Sequence, residues 1–179
     1  YAKHNCNKVI FIGDVIDNHY SSFHEPDPDG MGGGDELELA ILKLSRWYKA
    51  FPDADVCIGN HDRIITRKAF SSGVPKKWIK GMAEVLETPN WTYDTRFVYD
   101  NVQYIHGESG RGTVQGHRHT EMFTEFAVGA NYKVFGCAVG CGINSKSYAM
   151  AYGKHFKKPA IGVAVVFGGK YAINEPMDL

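Results

Sequence analysis

The sequence predicts an α/β fold, and three observations carry that prediction. Two short apolar runs, Val9 to Ile12 and Val56 to Ile58, each end in a glycine followed by polar side chains, Gly13-Asp14 and Gly59-Asn60-His61-Asp62. Between them Leu37, Ala40, Ile41, Leu44, Trp47, Tyr48 and Phe51 recur at helical spacing, which is the pattern of a helix covering one face of a sheet. Two later runs repeat the strand signature, Val102 to Ile105 before His106-Gly107 and Thr113-Val114-Gln115 before Gly116-His117-Arg118-His119. Ligands of open α/β sheets bind beyond the carboxyl ends of the strands. These four turns are therefore the expected functional edge, with Asp14 foremost.

Taken in order, Tyr1 to His4 reads as the last turn of a helix closing at Asn5. After the Lys8 to His19 stretch comes a polar loop with Glu25, Asp27 and Asp29, followed by the glycine run Gly30-Met31-Gly32-Gly33-Gly34. That run is expected either to move over the site or to serve as a solvated linker. Gly34 or Asp35 then caps the amphipathic helix, which stops at Pro52. The segment Arg63 to Lys80 gathers Arg63, Arg67, Lys68, Lys76, Lys77 and Lys80, with Phe70 and Trp78 among them. A phosphate-rich substrate could lie on it, with Trp78 as a stacking face; a merely solvated basic face is an equal alternative.

Residues 76 to 88 are predicted as a helix ended by Pro89, and Trp91 to Tyr104 as a hairpin around Asp100-Asn101. The chain between Gly107 and Gly112 is too short for the crossover helix that parallel strands ordinarily need, so either a segment between Gly110 and Gly116 is missing or the strands are joined unusually. Val134 to Val139 reads as a further strand, and Asn144 to Tyr152 as a loop or short helix. Lys154, His155, Lys157 and Lys158 form a second basic cluster. Ile161 to Phe167 and Lys170 to Ile173 close the chain as a hairpin through Gly168-Gly169.

Composition excludes several classes. The 179 residues suit a single domain spanning 1–179, and 44% hydrophobic with 22% charged residues are those of an ordinary globular chain. A formal net charge of zero gives no global electrostatic case for nucleic acid, so local charge must make it. Cys6, Cys57, Cys137 and Cys141 lack CxxC spacing and read as reduced thiols in a cytoplasm-like compartment, with Cys137 and Cys141 more suited to packing than to ligation. No stretch is long and apolar enough to span a membrane. Oligomeric state is not legible.

Carboxylate, amide and imidazole gathered at strand ends are what borderline divalent cations accept. A two-metal site for phosphoryl chemistry explains the four turns economically. The ordered set GD-x-x-D, GNHD, HG and GHRH resembles the calcineurin-like metallophosphoesterases, and more closely their small single-domain members, including those encoded by bacteriophages. The resemblance implies a four-layer αββα sandwich with two mixed β-sheets flanked by helices. It implies two divalent metal ions (Mn, Fe or Zn, with Mn favoured). Asp14 would bridge them, Asn60, His106 and His117 would complete one, and His119 would belong to the other.

The resemblance further implies that His61 is the general acid and that Asp17 holds and charges it. Asp62 is expected as a capping or supporting residue. The family opens with a strand ending D-x-H, which this sequence lacks; the expectation is that the first βα unit is missing, the alternative being an incomplete first metal site. Protein phosphatases of the superfamily carry Arg after the second Asp and before the GNH motif, where this chain has Asn18-His19 and Ile58. A phosphodiester, with nucleic acid or a nucleotide as candidates, is therefore preferred. His19, Arg63, Lys76, Lys77 and Trp78 are candidate substrate contacts. The competing readings are a phosphomonoesterase acting on a small nucleotide and a catalytically silent scaffold on the same fold.

Overall fold

The computed structural model describes residues 1–23, 29–107, 112–143 and 158–177, and over these the chain is α/β. It divides into two compact units, Val9–Asp94 and Tyr1–Lys8 with Thr95–Leu179.

The first unit is built on three parallel strands, β1 (Ile10–Phe11), β2 (Asp55–Cys57) and β3 (Thr92–Asp94), in the order β1-β2-β3. Ile10 lies opposite Asp55, and Asp55 opposite Thr92. Every residue of β2 is buried, as a central parallel strand requires. Helix α1 (Gly33–Ala50) makes the crossover from β1 to β2. Its N-cap is Gly32, upstream of the expected Gly34 or Asp35, because the glycine run continues directly into the helix. A side chain at Gly33 would collide with the Tyr20 ring. The core joins Leu44 of α1 to Ala54, Val56, Leu86 and Trp91. Phe11 lies 4.7 Å from the Trp91 ring, and the Trp91 indole N–H donates to the Phe51 carbonyl at 2.7 Å. That hydrogen bond allows a Trp to be 3% exposed without stranding its polar atom.

Two expected elements differ here. Residues 76 to 88 do not form one helix; after the eight-residue α2 (Ile64–Ser71), a 3₁₀ turn (Lys76–Trp78) follows Pro75, and a single helical turn, α3 (Met82–Val85), comes next. Gly81 is extended at the α3 N-cap, and Glu87 takes a positive φ of 55° just beyond it, so backbone punctuation overrides the apolar spacing. Trp91 to Tyr104 is not wholly hairpin either, since Thr92–Asp94 pairs in parallel with β2.

In the second unit, β4 (Arg96–Tyr99) and β5 (Val102–Ile105) form the expected hairpin, with Asp100 and Asn101 both at positive φ, 50° and 62°, as a two-residue type I′ turn demands. β6 (Thr113–Gln115), β7 (Met122–Gly129) and β8 (Tyr132–Val139) complete a five-stranded mixed sheet in the order β4-β5-β6-β8-β7. β5 and β6 are parallel neighbours although only residues 106–112 separate them. A three-residue strand is about 10 Å long, a distance that seven residues are long enough to return across. β9 (Gly162–Phe167) and β10 (Tyr171–Pro176) form the closing hairpin. The first residues dock on this unit: Ala2–His4 is one 3₁₀ turn with Asn5 left-handed at its end. Lys3 and His4 reach Glu175 at 2.9 and 2.8 Å.

Of the two mixed sheets expected, the five-stranded sheet is mixed and the first unit's sheet is wholly parallel. No helix among the described residues is long and apolar enough to cross a membrane. Glu25, Asp27, the linker of residues 108–111, the segment Asn144 to Tyr152 and Lys154, His155 and Lys157 lie outside the described residues.

Candidate functional site

In the first unit the turns after β1 and β2 are bound to one another through side chains. Asp62 is the hub. Its Oδ2 accepts the amide N–H of Asp14 at 2.8 Å and of Gly59 at 2.7 Å, and its Oδ1 accepts that of Ile16 at 3.3 Å. At 5% exposed the carboxyl is pushed up in pKa by burial, opposed by those three N–H donors. The expected supporting role of Asp62 is what this arrangement provides.

Asp14 sits at φ 52°, immediately after Gly13 at φ 80°. A left-handed aspartate is tolerated only where its surroundings determine it, and here both its amide and its carboxylate are engaged. Asp14 Oδ1 accepts the His61 amide N–H at 2.9 Å. Gly59 is indispensable to this approach, because a Cβ there would run into the Asp14 carboxylate and backbone.

His61 is fixed from the other side. Its Nδ1 lies 2.7 Å from Asp17 Oδ1 and 3.0 Å from the Asp17 carbonyl, so Nδ1–H donates to the aspartate and Nε2 is the nitrogen left for chemistry. The Asp17 hydrogen bond, aided by the Asp14 charge and opposed by burial, raises the imidazole to about 9 from 6.5. Sequence reasoning passed over Asn18, whose side-chain N–H donates to the His61 carbonyl at 3.0 Å from a left-handed backbone at φ 52°. Its signal was available: asparagine is the non-glycine residue best suited to that conformation.

A histidine whose pKa rises on folding adds stability that is complete below about 6.5 and is lost as pH climbs through about 9. In metal-free protein, NMR titration of His61 is expected to give a value near 9, and Asp17→Asn to return it towards the ordinary range. A midpoint near 6.5 in the unaltered chain would mean that the pair does not persist in solution.

In the second unit His106 follows β5 and His117 follows β6, and the parallel register that sets Ile105 opposite Gln115 delivers both rings to the same end of the sheet. His106 Nε2 lies 3.2 Å from His117 Nδ1, with the rings edge to face at 78°. His117 itself takes φ 74°. His119 is held by its backbone, its N–H donating to the His117 carbonyl at 3.1 Å and its carbonyl accepting the Ala160 N–H at 2.7 Å. Arg118, between the two, pairs with Glu121 at 2.7 Å.

Carboxylate and imidazole are suitable donors for a borderline divalent ion, and two ring nitrogens facing each other at 3.2 Å suit a shared cation. The thiols do not compete: Cys57 is pushed up to about 12, mainly by burial, and burial also raises Cys137 and Cys141. Asn60 is half-buried within the Gly59–Asp62 turn. His19 is 7% exposed, and its amide, with that of Tyr20, donates to the Glu36 carboxylate of α1 at 2.7 and 3.0 Å. Arg63 precedes α2, and Lys76, Lys77 and Trp78 form the exposed 3₁₀ turn; none of the four joins the hydrogen bonds around Asp62. Compared with protein-family models, with curated proteins and with solved structures, the chain finds no match in any of the three.

Proposed function

We propose that this chain is a metal-dependent phosphoesterase acting on a phosphodiester, with residues of the calcineurin-like pattern as its machinery. The observation that carries the reading is the His61–Asp17 pair at 2.7 Å, held beside an Asp14 whose carboxylate accepts the His61 amide. A carboxylate that orients an imidazole through Nδ1 is how proteins prepare a histidine for proton transfer.

Asp14, Asn60, His106, His117 and His119 are the proposed ligands of two divalent cations, of which manganese suits the oxygen and nitrogen donors. Such cations, when bound, neutralise phosphoryl oxygens and make water a competent nucleophile at neutral pH. His61 then gives the Nε2 proton to the departing alkoxide. Asp17 keeps Nδ1 protonated and compensates the imidazolium charge. Asn18 and Asp62 fix the backbone on either side, so that the ring does not have to be ordered again at each turnover.

Replacement of Asp14 by Ala is expected to remove metal and activity together. Metal content is read by inductively coupled plasma analysis and turnover with bis-p-nitrophenyl phosphate. An Asp14→Ala protein with normal metal content would refute the bridging role. Hydrolysis of p-nitrophenyl phosphate in preference to the diester would move the assignment to a monoesterase.

A further inference from the structure

The stretch after the Asp62 turn is chemically unlike the rest of the chain. From Arg63 to Ala83 it contains no acidic residue, in a protein whose formal charge sums to zero. Arg63, the N-cap of α2, and Arg67 and Phe70 within it are spaced i, i+4 and i+7, which sets them along one side of the helix, and all three are exposed. Arg67 lies 5.0 Å from the centre of the Phe23 ring and Lys68 5.4 Å from it, with Phe23 itself 60% exposed. Beyond the helix, Lys76 and Lys77 are carried on the same 3₁₀ turn as Trp78, which is 81% exposed. Lys80 differs, since Glu84 holds it at 2.8 Å.

A tryptophan this exposed is costly to leave in water, and a solvated basic face has no use for one. Cations alternating with exposed rings match a polymer that alternates phosphates with flat apolar bases. A duplex hides its base faces in its own stack, whereas a single strand offers them to aromatic side chains. A lipid surface would also accept cations beside Trp and Phe, but it needs a continuous apolar face, and the aliphatic neighbours Ile65 and Val74 are only 46% and 37% exposed.

We infer that the α2 face and the Lys76–Trp78 turn bind single-stranded nucleic acid, the cations on phosphates and Trp78 stacked on a base. This deepens the phosphodiesterase reading and rests on it only for the fate of the bound strand.

The test is anisotropy of a fluorescent thymidine oligomer with the full chain in excess EDTA, so that binding is read without hydrolysis. Lys76→Ala with Lys77→Ala should lower the slope of log affinity against log salt by about 1.4, the value for two lost phosphate contacts on a single strand. Trp78→Ala should weaken binding about tenfold at any salt concentration. Lys170→Ala, an exposed lysine of the second unit, should leave binding unchanged. Equal affinity for a duplex of the same length, capture by phosphatidylserine vesicles instead of the oligomer, or variants that bind as the parent does would each overturn the inference. If the oligomer fails to bind while the parent chain hydrolyses bis-p-nitrophenyl phosphate, this inference falls and the hydrolase reading stands. Oligomer binding without hydrolysis of any ester gives the converse.

Discussion

Replacing His61 with Ala is expected to lower kcat by about 10²- to 10⁴-fold while leaving metal content close to that of the parent chain. The proposed ligands do not include the His61 ring, and its side chain is spoken for by Asp17 at 2.7 Å. What the substitution removes is the proton for the leaving alkoxide. The loss should shrink for esters with good leaving groups, since a p-nitrophenolate departs without one. A substrate series spanning leaving-group pKa therefore distinguishes general acid from structural support: a uniform loss across the series, or loss of metal with the ring, would remove His61 from the role. Asp17→Asn should reproduce part of the effect, because an amide orients the ring but does not compensate its charge.

Asp62→Ala is expected to cost about 3 kcal/mol of stability, measured as a shift of the urea midpoint, and to lower activity with it. The change leaves the amides of Asp14, Ile16 and Gly59 without their acceptor, in a place that is 5% exposed. Asp14 would then lose one of the constraints that hold it at positive φ. Asp62→Asn keeps one acceptor oxygen and should cost roughly half as much. Equal stability of the parent and the alanine variant would show that water replaces the carboxylate and that the two turns are not tied through it.

Much of the candidate site was legible in the sequence because its signals are local. An apolar run closing in glycine and a polar residue marks a strand end wherever it occurs, and the β1, β2, β5 and β6 turns fall where those runs end. The pairing of Asp17 with His61 was expected from resemblance alone; the 2.7 Å contact gives it geometry. Asn18 and Glu36 were not found, because each acts on a backbone group from a different element, and no spacing rule reports that. The helix expected over residues 76 to 88 failed for a related reason: Gly81 and Glu87 set the backbone there, and apolar periodicity does not register either.

By itself the sequence determined the α/β class, the amphipathic crossover helix, the Asp100-Asn101 hairpin and the turns that bear the polar side chains. All of these depend on near neighbours in the chain, through period, propensity and turn chemistry. Tertiary structure decided the rest. It paired Thr92–Asp94 in parallel with β2 rather than leaving it in the hairpin, and set β6 beside β5 across a very short link. It also made Asp62 the common acceptor for two turns about 45 residues apart in the chain, as the separations of 48 and 46 to Asp14 and Ile16 record. The physical reason is that a buried carboxylate must satisfy its oxygens with whatever N–H groups the fold brings near, and those partners are fixed only when distant segments pack.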